Sequence, residues 1–238
     1  MKTSIVPQTH ALADHAGRIS PLLRLARTAL RRALGQLQLG ELRLIDADGE
    51  YRFGRKSAGC SLSATLLLLE DYRELQGRYD KLVSIEMIEA VGADHLEDYF
   101  GKCSALLASD GAMLLQAITI QDQLYAQALR SVDYIQRFIL PGSFIPSITA
   151  LSAAICRAGD LKIFHLEDIG PHYARTLSEW RRNFCTHLPE VRRLGYADSF
   201  VRLWEFYLCY CEGGFAERQL GDVQIVLTKP DCRRAPIH

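Results

Sequence analysis

The stretch from Tyr79 to Gly92, YDKLVSIEMIEAVG, holds the residues best placed for chemistry. Its first half reads as a buried-type strand, and its second half sets Glu86 and Glu89, on opposite phases, in the turn that follows. In an open α/β sheet, such a turn lies just past the carboxyl end of a parallel strand, where ligands bind. A carboxylate there can hold or orient a small ligand; it can equally be a first-turn helix acid favoured by the macrodipole. Cys209 and Cys211 form a Cys-x-Cys, but two thiols without a second ligand pair make a poor zinc site, so no metal is expected. None of the 17 glycines forms a Gly-x-Gly, so the sequence lacks the usual turn that brings backbone amides to a nucleotide-like cofactor.

The elements that must position these residues change character along the chain. Pro21 to Leu37 places Leu22, Leu23, Ala26, Ala29, Leu30, Ala33, Leu34 and Leu37 at helical spacing. Arg18, Arg24, Arg27, Arg31 and Arg32 crowd the same region with no acid among them, making the helix amphipathic and basic. It packs on the body or lies on an anionic bilayer. Glu41 to Phe53 alternates around Asp46-Ala47-Asp48-Gly49 and reads as a hairpin. From Leu66 onward, short apolar strands alternate with longer helices, the pattern of βαβ units on a parallel sheet. Strands are expected at 66–69, 79–85, 112–119, 161–169 and 223–229, and helices at 93–108, 122–139, 148–158, 171–187 and 198–211. Lys plus Arg and Asp plus Glu balance at 28 each, which gives no argument for nucleic acid. No apolar run reaches the ~18 residues of a membrane span, so any bilayer contact is expected to be peripheral. Seven cysteines, an odd count without paired spacing, point to reduced thiols and a cytoplasmic setting.

Beyond YDKLVSIEMIEAVG, four further blocks occur in order: LLQAITI from Leu114, RSVDYIQRFILPGS from Arg130, HLEDIGPHYARTLSEW from His165 and FVRLWEFYLCYCEGGFAERQLGDVQIVLTKP from Phe200. Together they resemble the cyclopropane-fatty-acyl-phospholipid synthase family of S-adenosylmethionine-dependent methyltransferases. LQLGELRLIDADGEYRFG is similar to the opening of that family's small N-terminal domain. The resemblance implies an α/β protein with a partial Rossmann-like class I methyltransferase sheet, preceded by a short helix and hairpin. Residues 1–65 would be a remnant of the small domain, and residues 66–238 a methyltransferase domain lacking its first strands and glycine-rich loop. Loss of those central strands would leave the strand 79–85 exposed on one side, an edge that needs a cover.

The implied reaction transfers a methylene from S-adenosylmethionine to a cis double bond of a phospholipid acyl chain, with bicarbonate as the base. A non-catalytic truncated member and a methyltransferase for a small-molecule acceptor are the alternatives. Carried over by position, Glu89 and Tyr173 would hold the bicarbonate, with Glu86 in support. Gln116 would stand where some members have a histidine, and Cys211 would lie near the anion. Asp71, Tyr72 and Ile85 would line the adenine end of the cofactor site. Tyr134, Phe138, Trp204, Phe206 and Tyr207 would line an acyl slot or fill the core. The partner implied is the phospholipid bilayer surface, met peripherally at the inner face of the membrane; pairing into a homodimer is left open. Without a Gly-x-Gly turn, S-adenosylmethionine is expected to bind this chain weakly or not at all in a calorimetric titration. Low-micromolar binding would show that another segment replaces the turn.

Overall fold

The computed structural model describes residues 3–6, 42–46, 49–53, 71–235 and 237. The expected basic helix at 21–37 and the strand at 66–69 lie outside them. Seven strands are present among the described residues: β1 (Thr3–Val6), β2 (Leu42–Asp46), β3 (Gly49–Phe53), β4 (Tyr79–Ile85), β5 (Leu107–Ile120), β6 (Lys162–Asp168) and β7 (Leu220–Thr228). β2 and β3 form the expected hairpin, with Asp46 opposite Gly49. The other five make one sheet in the order β1-β4-β5-β7-β6. The expected set of four neighbours, β4, β5, β7 and β6, is therefore present.

Three features differ from expectation. β4 is not left open: β1 pairs with it in parallel, Thr3 opposite Lys81 and Val6 opposite Ser84. A strand from the first residues thus takes up the backbone groups that would otherwise form an unpaired edge. The sheet is not wholly parallel, because β7 runs antiparallel to both β5 and β6. Finally, the expected helix at 122–139 is two helices, α2 (Asp122–Ala128) and α3 (Tyr134–Phe138). The break is written in the sequence: the Asp133 carboxylate accepts from Gln136 N at 2.8 Å, and the Gln136 side chain accepts from Asp133 N at 3.0 Å. This reciprocal cap starts a new helix.

The remaining helices are α1 (Leu96–Leu106), α4 (Ile148–Ala158), α5 (Gly170–Thr186), α6 (Leu188–Arg193) and α7 (Asp198–Ala216). Among these, α6 was not anticipated. Strand alternation divides them between two faces. Met113, Leu115 and Ala117 of β5 and Val223, Ile225 and Leu227 of β7 pack with Tyr99, Phe100 and Cys103 of α1 and Leu151, Ala154 and Ile155 of α4. On the opposite face Ile118 joins Leu177 of α5 and Leu208 and Phe215 of α7, with Tyr173, Trp180, Trp204, Tyr207 and Cys211 around them. Lys229 ties the far end of the sheet to α1, donating to Asp160 at 2.5 Å and to Ser104 at 3.1 Å.

Phe100 is fully buried at the centre of the α1 face. Truncating it leaves a cavity that the flanking strands cannot collapse, so Phe100→Ala should lower unfolding free energy by about 3–5 kcal/mol in urea titrations.

Candidate active site

The carboxyl end of β4 meets the middle of β5 in register, Ile85 opposite Gln116. The next residue, Glu86, turns out of the strand with a positive φ of 48°, a conformation rare for a residue with a Cβ. Its carboxylate is the meeting point of the site. Tyr173 Oη, from the first turns of α5, donates to Glu86 Oε1 at 2.8 Å. Gln116 Nε2 donates to the same oxygen at 3.0 Å. The second hydrogen of that amide goes to Asp222 Oδ2 at 3.1 Å, and Gln116 Oε1 accepts from Gln224 Nε2 at 2.9 Å. Gln116, Asp222 and Gln224 are all buried. They form a polar row beneath α5 and α7, on the face opposite Met113 and Leu115.

Glu89 sits one turn further on, where its Oε1 accepts from Ile118 N at 2.6 Å while its Oε2 is buried without a partner among the described residues. Burial pushes the Glu89 carboxyl up to about 7, opposed by backbone hydrogen bonds and reinforced by the nearby Glu86. The same cause, joined by repulsion from Glu86, Glu89 and Asp168, lifts Asp222 to about 9. Glu86 is also raised by burial, against which the Tyr173 and Gln116 hydrogen bonds favour its charged form. Burial and the adjacent Glu86 hold Tyr173 well above its ordinary value, so it remains a hydrogen-bond donor. For Cys211, burial pushes the thiol up to about 12, leaving it a neutral thiol and no nucleophile at neutral pH. Tyr207 is raised as well, first by burial and then by the proximity of Cys211 and Glu86.

Of the residues read from the sequence, Gln116 and Tyr173 converge, Glu89 borders them, and Cys211 shares their aromatic surround. Tyr173 and Gln116 bond to Glu86, however, where the sequence had pointed to Glu89 as the principal carboxylate and to Glu86 as support. Phase along an ideal strand put Glu86 on the wrong side; its positive φ redirects it. Asp222 and Gln224 were missed. In GDVQIVLT the alternation of Asp222 and Gln224 with apolar residues looks like a solvent face, and only the docking of α5 and α7 buries it.

Of the three residues assigned to the adenine end, Asp71 and Tyr72 do not join this cluster. Ile85 reaches it through its register with Gln116. Tyr72 stands by the α1 face, its ring 5.6 Å edge-on to Tyr99, over a cleft that Leu82, Ser84 and Met87 also line. Ser84 accepts the Tyr99 hydroxyl at 2.7 Å. Asp71 is exposed and clasped by Arg73, whose hydrogen bonds hold its carboxyl at about 2.

The chain is similar to known proteins. Residues 56–225 match the family model described as mycolic acid cyclopropane synthetase. The chain belongs to that family. Its members are S-adenosylmethionine-dependent methyltransferases. The chain is 36% identical over 159 residues to a tuberculostearic acid methyltransferase of Mycobacterium tuberculosis, covering 67% of this chain and 37% of that protein. It is 28% identical over 163 residues to the cyclopropane-fatty-acyl-phospholipid synthase of Escherichia coli, covering 68% of this chain and 41% of the synthase. The chain thus spans less than half of either curated relative. The cyclopropane synthase MmaA2 of M. tuberculosis superposes with a TM-score of 0.61 at 26% identity, over 68% of this chain and 59% of that one. The fold is therefore that of the class I methyltransferases. Among the described residues no helix is long and apolar enough to cross a membrane.

The raised carboxyls generate a pH dependence. Glu89 and Asp222 retain protons in the fold that the unfolded chain releases from about pH 4 upward. Stability is therefore highest below their ordinary values of 4.5 and 3.8 and declines as pH rises through about 7 for Glu89 and about 9 for Asp222. Urea midpoints should fall across that window, and Asp222→Asn should flatten the alkaline part; a midpoint rising from pH 5 to pH 9 would contradict the buried-acid assignment.

Proposed function

We propose that this family member alkylates a carbon–carbon double bond in a lipid acyl chain presented at a phospholipid surface. The observation that supports this reading most is the meeting of Tyr173 and Gln116 on one carboxylate at the carboxyl end of β4, within an aromatic, largely water-excluding surround. S-adenosylmethionine, when bound, supplies a methyl group on a sulfonium. Tyr72, its ring edge-on to Tyr99, and Ile85, opposite Gln116, are the residues that the family resemblance assigns to the adenine end of that cofactor.

The acceptor is an alkene, a weak nucleophile whose alkylation leaves positive charge on the acyl chain. The chain's residues answer that charge in two ways. Aromatic faces favour a cation: Trp204 and Tyr207, rings 5.0 Å apart, lie in the α5–α7 packing, with Tyr207 near Glu86. Tyr134 of α3 continues the aromatic surface outward, 4.7 Å from Phe206 and 5.8 Å from Tyr210. Phe138 and Phe206 are each 53% exposed, which suits the entrance for an apolar chain. The acids supply the second answer, a proton acceptor in a site from which water is largely excluded.

Bicarbonate, the base implied by the family resemblance, does not fit these residues. Glu89 Oε2 could accept its hydroxyl, but the donors for its charged oxygens are already engaged: Tyr173 by Glu86, and Gln116 by Glu86 and Asp222.

Incubation with methyl-labelled S-adenosylmethionine and vesicles of an unsaturated phospholipid should yield labelled acyl chains, read by mass spectrometry as ring-closed or methyl-branched products. Tyr173→Phe removes the hydroxyl donor and should slow turnover by roughly 10²-fold with little change in vesicle binding. Label appearing only in water-soluble acceptors would overturn the lipid assignment.

A further inference from the structure

We infer that Glu86 occupies the place of the separate anion in this site and is itself the base that completes the reaction. The inference rests on the lipid-alkylation reading above and deepens it. Three observations of the fold carry it.

The first is the donor set. Tyr173 Oη and Gln116 Nε2 both end on Glu86 Oε1, at 2.8 and 3.0 Å. Two donors on one oxygen hold the carboxylate in a single orientation and leave Oε2 without a hydrogen bond from the described residues. The second is the backbone. Glu86 keeps a φ of 48°, a conformation that strains a residue bearing a Cβ and that glycine adopts freely. A strained glutamate, retained where glycine would relax the turn, points to a task for its side chain. The third is what surrounds it. Both hydrogens of the Gln116 amide are taken, one by Glu86 and one by Asp222, so that amide has none left for a second, mobile anion, whereas a carboxylate fixed to the backbone needs no binding energy to stay.

The chemistry balances on the acyl chain alone. Once a methyl group has been joined to one alkene carbon, the other carbon is cationic. A C–H bond of the added methyl breaks; its electron pair forms the bond to the cationic carbon and closes the ring; the proton passes to Glu86 Oε2. The resulting glutamic acid returns that proton to water when the product leaves. Burial of Glu86 strengthens it as an acceptor, and its two donors oppose protonation in the resting site.

Two readouts test this, one of them independent of turnover. Bicarbonate labelled with carbon-13 is titrated by NMR into the full chain and into Glu86→Gly and Glu86→Gln, each first checked for native circular dichroism. The unaltered chain should show no saturable binding at roughly 10 mM, and Glu86→Gly, which frees Tyr173 and Gln116 and relaxes the turn, should bind at least about tenfold more tightly. In the second readout, turnover on unsaturated phospholipid vesicles should be the same in carbon-dioxide-free and bicarbonate-supplemented buffer. It should be lost in Glu86→Gln, with vesicle co-sedimentation retained. Submillimolar bicarbonate binding by the unaltered chain that Glu86→Gly does not improve, or turnover that requires bicarbonate, would overturn the inference. If no buffer supports turnover, the alkylation reading fails, and the NMR titration alone decides whether Glu86 holds the anion's place.

Discussion

A buried amide has to find partners for two hydrogens and one carbonyl oxygen, and in this chain Gln116 meets that requirement by joining two other strands. Its hydrogens reach Glu86 at the end of β4 and Asp222 on β7, and its oxygen takes a hydrogen from Gln224 of β7. An unmade bond at such a depth costs about 1–3 kcal/mol, so the amide sets the positions of the acids around it as much as they set its own. Tyr173 then closes the cluster from α5. Removing one member would leave the others buried and unpaired, which makes the group a unit.

The two faces of the sheet carry different work. Against α1 and α4 the strands present Met113, Leu115, Ile225 and Leu227, an apolar core with Tyr99 and Phe100 at its centre. Against α5 and α7 the same strands present Gln116, Asp222 and Gln224, covered by aromatic side chains. The polar face would weaken an ordinary core. Here the acids are kept largely protonated or hydrogen-bonded by their burial, and that is also the condition under which a carboxylate becomes a strong proton acceptor. Asp222 Oδ1 and Gln224 Oε1 remain without partners among the described residues, a cost in stability borne at the site itself.

β1 resolves a tension in the architecture. β4 has a strongly buried middle, Leu82 and Val83, and an open edge beside it would be a liability. Parallel pairing with Thr3–Val6 gives that edge a partner and places the carboxyl end of β4, with Glu86 and Glu89 beyond it, inside a five-stranded sheet. The loop that carries Glu86 and Glu89 therefore hangs from a strand held on both sides.

Much of this was legible in the residues themselves. The periods of apolar residues located β4, β5, β6 and β7 and most helices, because alternation and helical spacing are local properties. The Asp46 to Gly49 turn specified its hairpin for the same reason. Ordered blocks placed Glu89, Gln116, Tyr173 and Cys211 in one region of a methyltransferase fold. Tertiary structure alone decided which acid is central. Whether Glu86 faces the sheet or the cleft depends on a single backbone dihedral, stabilised by Tyr173 from 87 residues away and Gln116 from 30. Whether Asp222 and Gln224 meet water or lie under two helices depends on how α5 and α7 dock. These are contacts between distant segments, and no local pattern encodes them.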